Sequence, residues 1–142
     1  MAGENGPQVI PMLTYEDGPA MMDWLAQAFG FREITRMLDE NGLLAHGELA
    51  AGNGRIMLSA ATPHYESPRR HSEHCERART WSAVPWVIDG VFVYVDDVDA
   101  HFAQAEAAGA TILTEVEDGW PGRRYRAEDS EGHRWMFMQA PS

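Results

Sequence analysis

Two short stretches carry residues able to do chemistry. In "AHGEL", His46 and Glu48 flank Gly47, so on a β-strand both side chains stand on one face. An imidazole beside a carboxylate is a pair suited to proton transfer, with either group as base. The plainer role, the polar outer face of a hairpin, fits the same pattern. In "HSEHC", His71, His74 and Cys75 fall within one helical turn, His71 and Cys75 at i, i+4. These are donors of the zinc type, but a fourth ligand and the usual spacing are missing. A solvated helix whose cysteine packs inward accounts for them more simply. His101 lies in a helical stretch and is expected at the surface or an interface.

A third stretch, "EGHRWMFMQA" at residues 131–140, offers contact rather than reactivity. Read as a strand, it places Arg134, Met136 and Met138 on one face and His133, Trp135 and Phe137 on the other. Both faces are bulky and mostly apolar, so neither is a plain wet side. The methionine face is either core or the wall of a pocket.

These groups must be positioned by a chain of 142 residues, about one domain's length. The net charge is −11 and all the basic residues are arginine. Such a surface repels nucleic acid and anionic membranes. No apolar run is long enough to span a bilayer, and residues 1–9 lack the basic-then-apolar pattern of a signal peptide. The single cysteine, Cys75, excludes an internal disulfide and fits a cytoplasmic protein.

The elements follow from local patterns. "VIPMLTYED" reads as a strand, and residues 18–30 as a helix with Met21, Trp24, Leu25, Ala28 and Phe29 at helical spacing and Gly30 as its stop. A strand runs into a turn at Asn41-Gly42, and "LLAHGELAAGNG" with "RIMLSA" forms a hairpin. Residues 61–89 read as a connector carrying one helix that starts at Ser67-Pro68. Then "VFVYVDD", a helix ending at Gly109, and three more strand candidates repeat the order β-α-β-β-β. A gapless shift of 79 residues pairs Tyr15 with Tyr94, Asp17 with Asp96, Gly30 with Gly109, Arg55 with Arg134 and Met57 with Met136. The expectation is one domain over residues 1–142, with modules at about 8–60 and 90–139.

Two βαβββ halves, with "YVDDVDAHFAQAEAAGA" and the closing "RYRAEDSEGHRWMF" in the second, resemble the vicinal oxygen chelate superfamily of glyoxalases, bleomycin-resistance proteins and extradiol dioxygenases. The resemblance implies an α+β fold in which two tandem βαβββ modules form a cupped mixed sheet around a cavity. It also implies a homodimer. Metal-using members hold a divalent ion with His, Gln or Glu from the first and last strands of each half. Counting from the turns, those positions here carry Pro11, Met57, Gly90 and Met136. Neither Pro nor Gly has a donor side chain, and thioethers are soft ligands. The expectation is no metal and no cofactor.

The face that would look into the cup then carries Leu13, Tyr15, Arg55, Met57, Ser59, Phe92, Tyr94, Arg134, Met136 and Met138, with Trp120 as a possible cap. Apolar walls with few polar tips suit a small molecule. The leading expectation is a metal-independent binding protein that sequesters a drug or an apolar, aromatic metabolite. The alternatives are a glyoxalase- or dioxygenase-like enzyme with a divalent metal, or a metal-free lyase or isomerase using His46 and Glu48.

Overall fold

The computed structural model describes residues 6–60 and 62–141. The chain divides into two compact units, the first ending at Tyr65 and the second beginning at Glu66.

The first unit runs β1 (Met12–Tyr15), α1 (Gly18–Phe29), β2 (Arg32–Leu38), β3 (Leu44–Ala51) and β4 (Gly54–Ala60). Its strands lie in the order β1-β4-β3-β2, with β1 parallel to β4 and the other pairs antiparallel. Helix α1 starts where Asp17 accepts a hydrogen bond from the Ala20 N–H (3.1 Å), and it stops at Gly30, whose φ of 75° is the left-handed cap. Of the expected apolar stripe, Met21, Leu25, Ala28 and Phe29 are buried and Trp24 is half-buried, and Met22 joins them in the core with Tyr15, Leu44, Leu49, Ile56 and Leu58. At the expected Asn41-Gly42 turn, the Asp39 carboxylate accepts from the N–H groups of Asn41 and Leu43.

The second unit opens with two short helices, α2 (Pro68–His74) and α3 (Glu76–Ser82), where one was expected. The break falls at Cys75, whose backbone is extended (φ −119°, ψ 105°). The Ser67-Pro68 start is as read, the Ser67 hydroxyl accepting from the Arg70 N–H. Then come β5 (Gly90–Val95), α4 (Val98–Ala107), β6 (Thr111–Glu117), β7 (Arg124–Glu128) and β8 (Arg134–Gln139), in the sheet order β5-β8-β7-β6. Strands β5 and β8 are parallel. Under this sheet Tyr125, Trp135 and Phe137 stack, with centroids 5.3 Å apart for Tyr125 and Phe137. Burying an aromatic ring of this kind contributes roughly 1.5–3 kcal/mol. His101, expected at the surface or an interface, points inward within its own unit: its Nδ1 lies 2.6 Å from the Tyr125 hydroxyl and its ring packs on Phe137.

Each unit is thus a four-stranded mixed sheet with a helix on one face, an α+β fold. No helix among the described residues is long and apolar enough to cross a membrane.

The repeat is real, but its spacing is not constant. The caps Asp17 and Asp97 play the same part, each accepting from the N–H three residues on, and they are about 80 apart rather than 79. Met57 and Met136 correspond as expected, but the parallel ladders set Met57 beside Met12 and Met136 beside Phe92. On β3 and β7, Gly47 matches Tyr125 through their partners Leu58 and Phe137, a shorter spacing. The pairs Tyr15–Tyr94 and Asp17–Asp96 are therefore coincidences of residue type.

The turn into β8 is organised by Asp129, which is fully buried. Its Oδ1 accepts from the N–H groups of Glu131 (3.0 Å) and His133 (3.1 Å), and its Oδ2 from the Trp135 indole (3.1 Å). Gly132 completes the turn with φ +91°, and a Cβ there would stand 2.7 Å from the Arg69 nitrogen. Asp129→Ala strands one buried and two part-buried donors and is expected to cost about 3 kcal/mol, read as a lowered midpoint in urea denaturation.

Candidate functional site

Strand alternation gives each sheet a helix-covered face and an open face. On the second sheet, Ala127, Trp135 and Phe137 turn toward α4. The opposite side chains form rows across the strands. One row is Thr114, Arg126, Met136 and Phe92; the next is Glu117, Arg124, Met138 and Tyr94. Phe92 and Tyr94 are 46 % and 54 % exposed and meet edge to face at 4.9 Å. Beside them a cleft of about 330 Å³ is lined by Trp86, Ile88, Phe92, Leu113, Arg126 and Arg134. The expected grouping of Phe92, Tyr94, Arg134, Met136 and Met138 on one face therefore forms.

Three of the expected residues stand differently from a free pocket wall. Arg134 is 4 % exposed, and its donors serve its own chain. They bond Glu128 (Nε 3.0 Å, Nη2 2.9 Å) and the carbonyls of Ser82 and Val84 (2.6 and 2.8 Å), tying the C-terminal end of α3 to the sheet. Met138 is buried beneath the turn before β7, so tightly that a Cβ on Gly122 would stand 3.1 Å from its sulfur. Trp120, in that turn, is 91 % exposed and caps nothing within its unit.

On the first sheet the open face carries Met12, Thr14, His46, Glu48, Arg55, Met57 and Ser59. Leu13 and Tyr15, expected there, lie on the opposite face: Leu13 pairs with the buried Leu58, and Tyr15 is itself buried. The gapless 79-residue shift placed them one position out, and on a strand one position reverses the face. Met12 and Thr14 are the residues that reading missed. The alternation within "PMLTY" carried no sign of which face was which. Arg124 and Arg126 were also missed, although their alternation with Tyr125 and Ala127 in "RYRAE" was a usable signal.

The pair in "AHGEL" does meet. His46 Nε2 lies 2.8 Å from Glu48 Oε2, and Arg55 Nη1 donates to Glu48 Oε1 at 3.2 Å. Half-buried Glu48 is thus held between an imidazole and a guanidinium. The hydrogen bond from His46, with Arg55 adding its charge, keeps its carboxyl below the usual carboxylate range. In "HSEHC" the groups do not converge: His74 Nε2 lies 2.6 Å from Glu66, and Cys75 sits at the helix break. Among the described residues no three His, Cys, Asp or Glu side chains gather as a metal cluster would require.

Glu48 yields a prediction of definite sign. A carboxyl with a depressed folded-state pKa contributes stability above its unfolded pKa and loses it as pH falls through the folded value. His46→Ala should move the Glu48 carboxyl resonance, followed by NMR titration, back up toward the ordinary range. It should also flatten the acid limb of the stability profile.

Residues 9–137 match the Glyoxalase/Bleomycin resistance protein/Dioxygenase superfamily. An uncharacterized protein of Mycobacterium bovis is 30 % identical over 138 residues, covering 94 % of this chain and 83 % of its own. Among solved structures, TioX from Micromonospora sp. ML1 is 33 % identical with a TM-score of 0.69, covering 94 % of this chain and 98 % of that one. The bleomycin-binding protein of Streptomyces verticillus, solved with copper(II)-bleomycin, shares the fold at 20 % identity and a TM-score of 0.58, covering 94 % of this chain and 95 % of that one. The paired βαβββ units and these likenesses agree: the chain belongs to the glyoxalase/bleomycin resistance protein/dioxygenase superfamily.

Proposed function

We propose that this chain is a metal-independent binding protein that captures an apolar, aromatic small molecule on the open face of its second sheet. The observation that carries the reading is the exposed Phe92–Tyr94 pair beside Met136 and the Trp86-lined cleft. Large aromatic side chains left together in water mark a surface built for contact. Edge-to-face rings and a thioether offer stacking partners without demanding one ligand shape.

The metal of the superfamily does not fit the residues present. On the open faces Met57 stands between Met12 and Glu48, and Met136 between Phe92 and Arg126. Glu48 is the one metal-type oxygen donor of the six and is already held by His46 and Arg55, and thioethers are poor ligands for hard divalent ions. The fold-related bleomycin-binding protein supports capture of a small molecule as a role this architecture can serve. The free Cys75 suits a reducing cytoplasm, and the exposed Met37, Leu38 and Trp120 suit a homodimer contact.

A test uses 2-naphthamide as a neutral planar probe, followed by tryptophan fluorescence on protein dialysed against EDTA. Binding should survive dialysis, and Phe92→Ala with Tyr94→Ala should weaken it about tenfold. Stoichiometric Zn, Ni, Mn or Fe whose removal abolishes binding would overturn the reading, as would a double variant that binds unchanged.

The second reading, a metal-free lyase or isomerase, draws on the His46–Glu48–Arg55 contacts. Glu48, held anionic, would orient the imidazole and leave His46 Nδ1 to take a proton, while Arg55 polarises the substrate. His46→Ala would then abolish turnover while leaving binding intact; a variant with unchanged turnover removes the reading.

A further inference from the structure

Three arginines stand on the open face of the second sheet, and two are already neutralised. Arg134 is bonded to Glu128, Ser82 and Val84. Arg124 donates to the Gly122 carbonyl (2.9 Å) and lies 3.6 Å from Glu117. Arg126, between them on β7, has no side-chain hydrogen bond or ion pair among the described residues. It is half-buried, and it lines the same cleft as Trp86, Phe92 and Leu113.

A guanidinium offers five donors and stays charged throughout the physiological range. In a chain of net charge −11, carboxylates are plentiful, yet none among the described residues answers this one. Nearby Glu128 is shared by Arg134 and Arg69, and Glu117 faces Arg124. The row across the sheet sets Arg126 beside Met136 and Met136 beside Phe92. Strand spacing therefore puts about 10 Å between the arginine and phenylalanine backbones. A fused two-ring aromatic with an acid group spans that distance, its rings on Phe92 and Met136 and its head at the guanidinium.

We infer that Arg126 receives the anionic head group of the ligand, so that the site takes planar aromatic acids in preference to neutral aromatics. This rests on the capture role proposed above. The exposed Asp89 also lines the cleft, and its like charge tempers the preference without reversing it.

The experiment compares 2-naphthoate with 2-naphthamide by fluorescence titration and calorimetry at fixed ionic strength. Wild type should bind the acid about tenfold more tightly. Arg126→Gln should erase that preference, read as the ratio of acid to amide affinity within the variant, Arg126→Lys should keep part of it, and circular dichroism confirms that each variant is folded. Asp89→Asn, at an exposed position, should widen the acid-to-amide ratio about twofold. Equal affinities in the wild type, or a preference that survives Arg126→Gln, overturn this inference and leave aromatic capture standing. Failure of both probes to bind overturns the two together.

Discussion

The buried carboxylate of Asp129 decides where the last strand begins. Two backbone N–H groups and the Trp135 indole converge on it, so the turn has one geometry and β8 has one starting point. Because side chains alternate with a period of two, that starting point also decides which residues meet the helix and which stand on the open face. Moved by one residue, Met136 would enter the core, and Trp135 would stand in solvent. A charge hidden from water is costly unless its lone pairs are satisfied, and here the cost is offset by three donors in place.

A second buried charge continues the same design. Arg134 sits on the open side of β8, yet it is spent on Glu128 and on the carbonyls that end α3. It strengthens the wall of the cleft rather than reaching into it. With Arg134 and Arg124 neutralised by their own chain, Arg126 is the arginine of this face left without a side-chain partner among the described residues. The aromatic pair Phe92–Tyr94 supplies the apolar half of the surface. On the first sheet the balance is reversed, with His46, Glu48 and Arg55 joined in a polar cluster beside Met57 and Met12.

The two units show how a repeat can be right while its register is wrong. The order of elements, the glycine stops of the helices and the correspondence of Met57 with Met136 were legible because they depend on local chemistry: glycine at the helix stop and alternating strands. The spacing was not legible. It passes from 80 to 79 to 78 and back to 79 because a helix end and two hairpin turns differ in length between the units, and matching residue types concealed those changes. Leu13 and Tyr15 were assigned to the wrong face for that reason alone. The face of the second sheet was read correctly because Phe92, Tyr94 and Met136 were counted within one unit.

By itself, then, the sequence determined the α+β architecture, the apolar stripe of α1, the His46–Glu48 neighbourhood and the thioethers at 57 and 136. Each follows from periodicity or from residues close in the chain, where backbone geometry leaves little choice. The tertiary structure alone decided which arginine is free. Arg124, Arg126 and Arg134 are alike as residue types, and what separates them is whether carbonyls of α3 or a carboxylate across the sheet come within bonding distance. Such partners lie up to 52 residues away in the chain, and only the folded packing brings them near or leaves them apart.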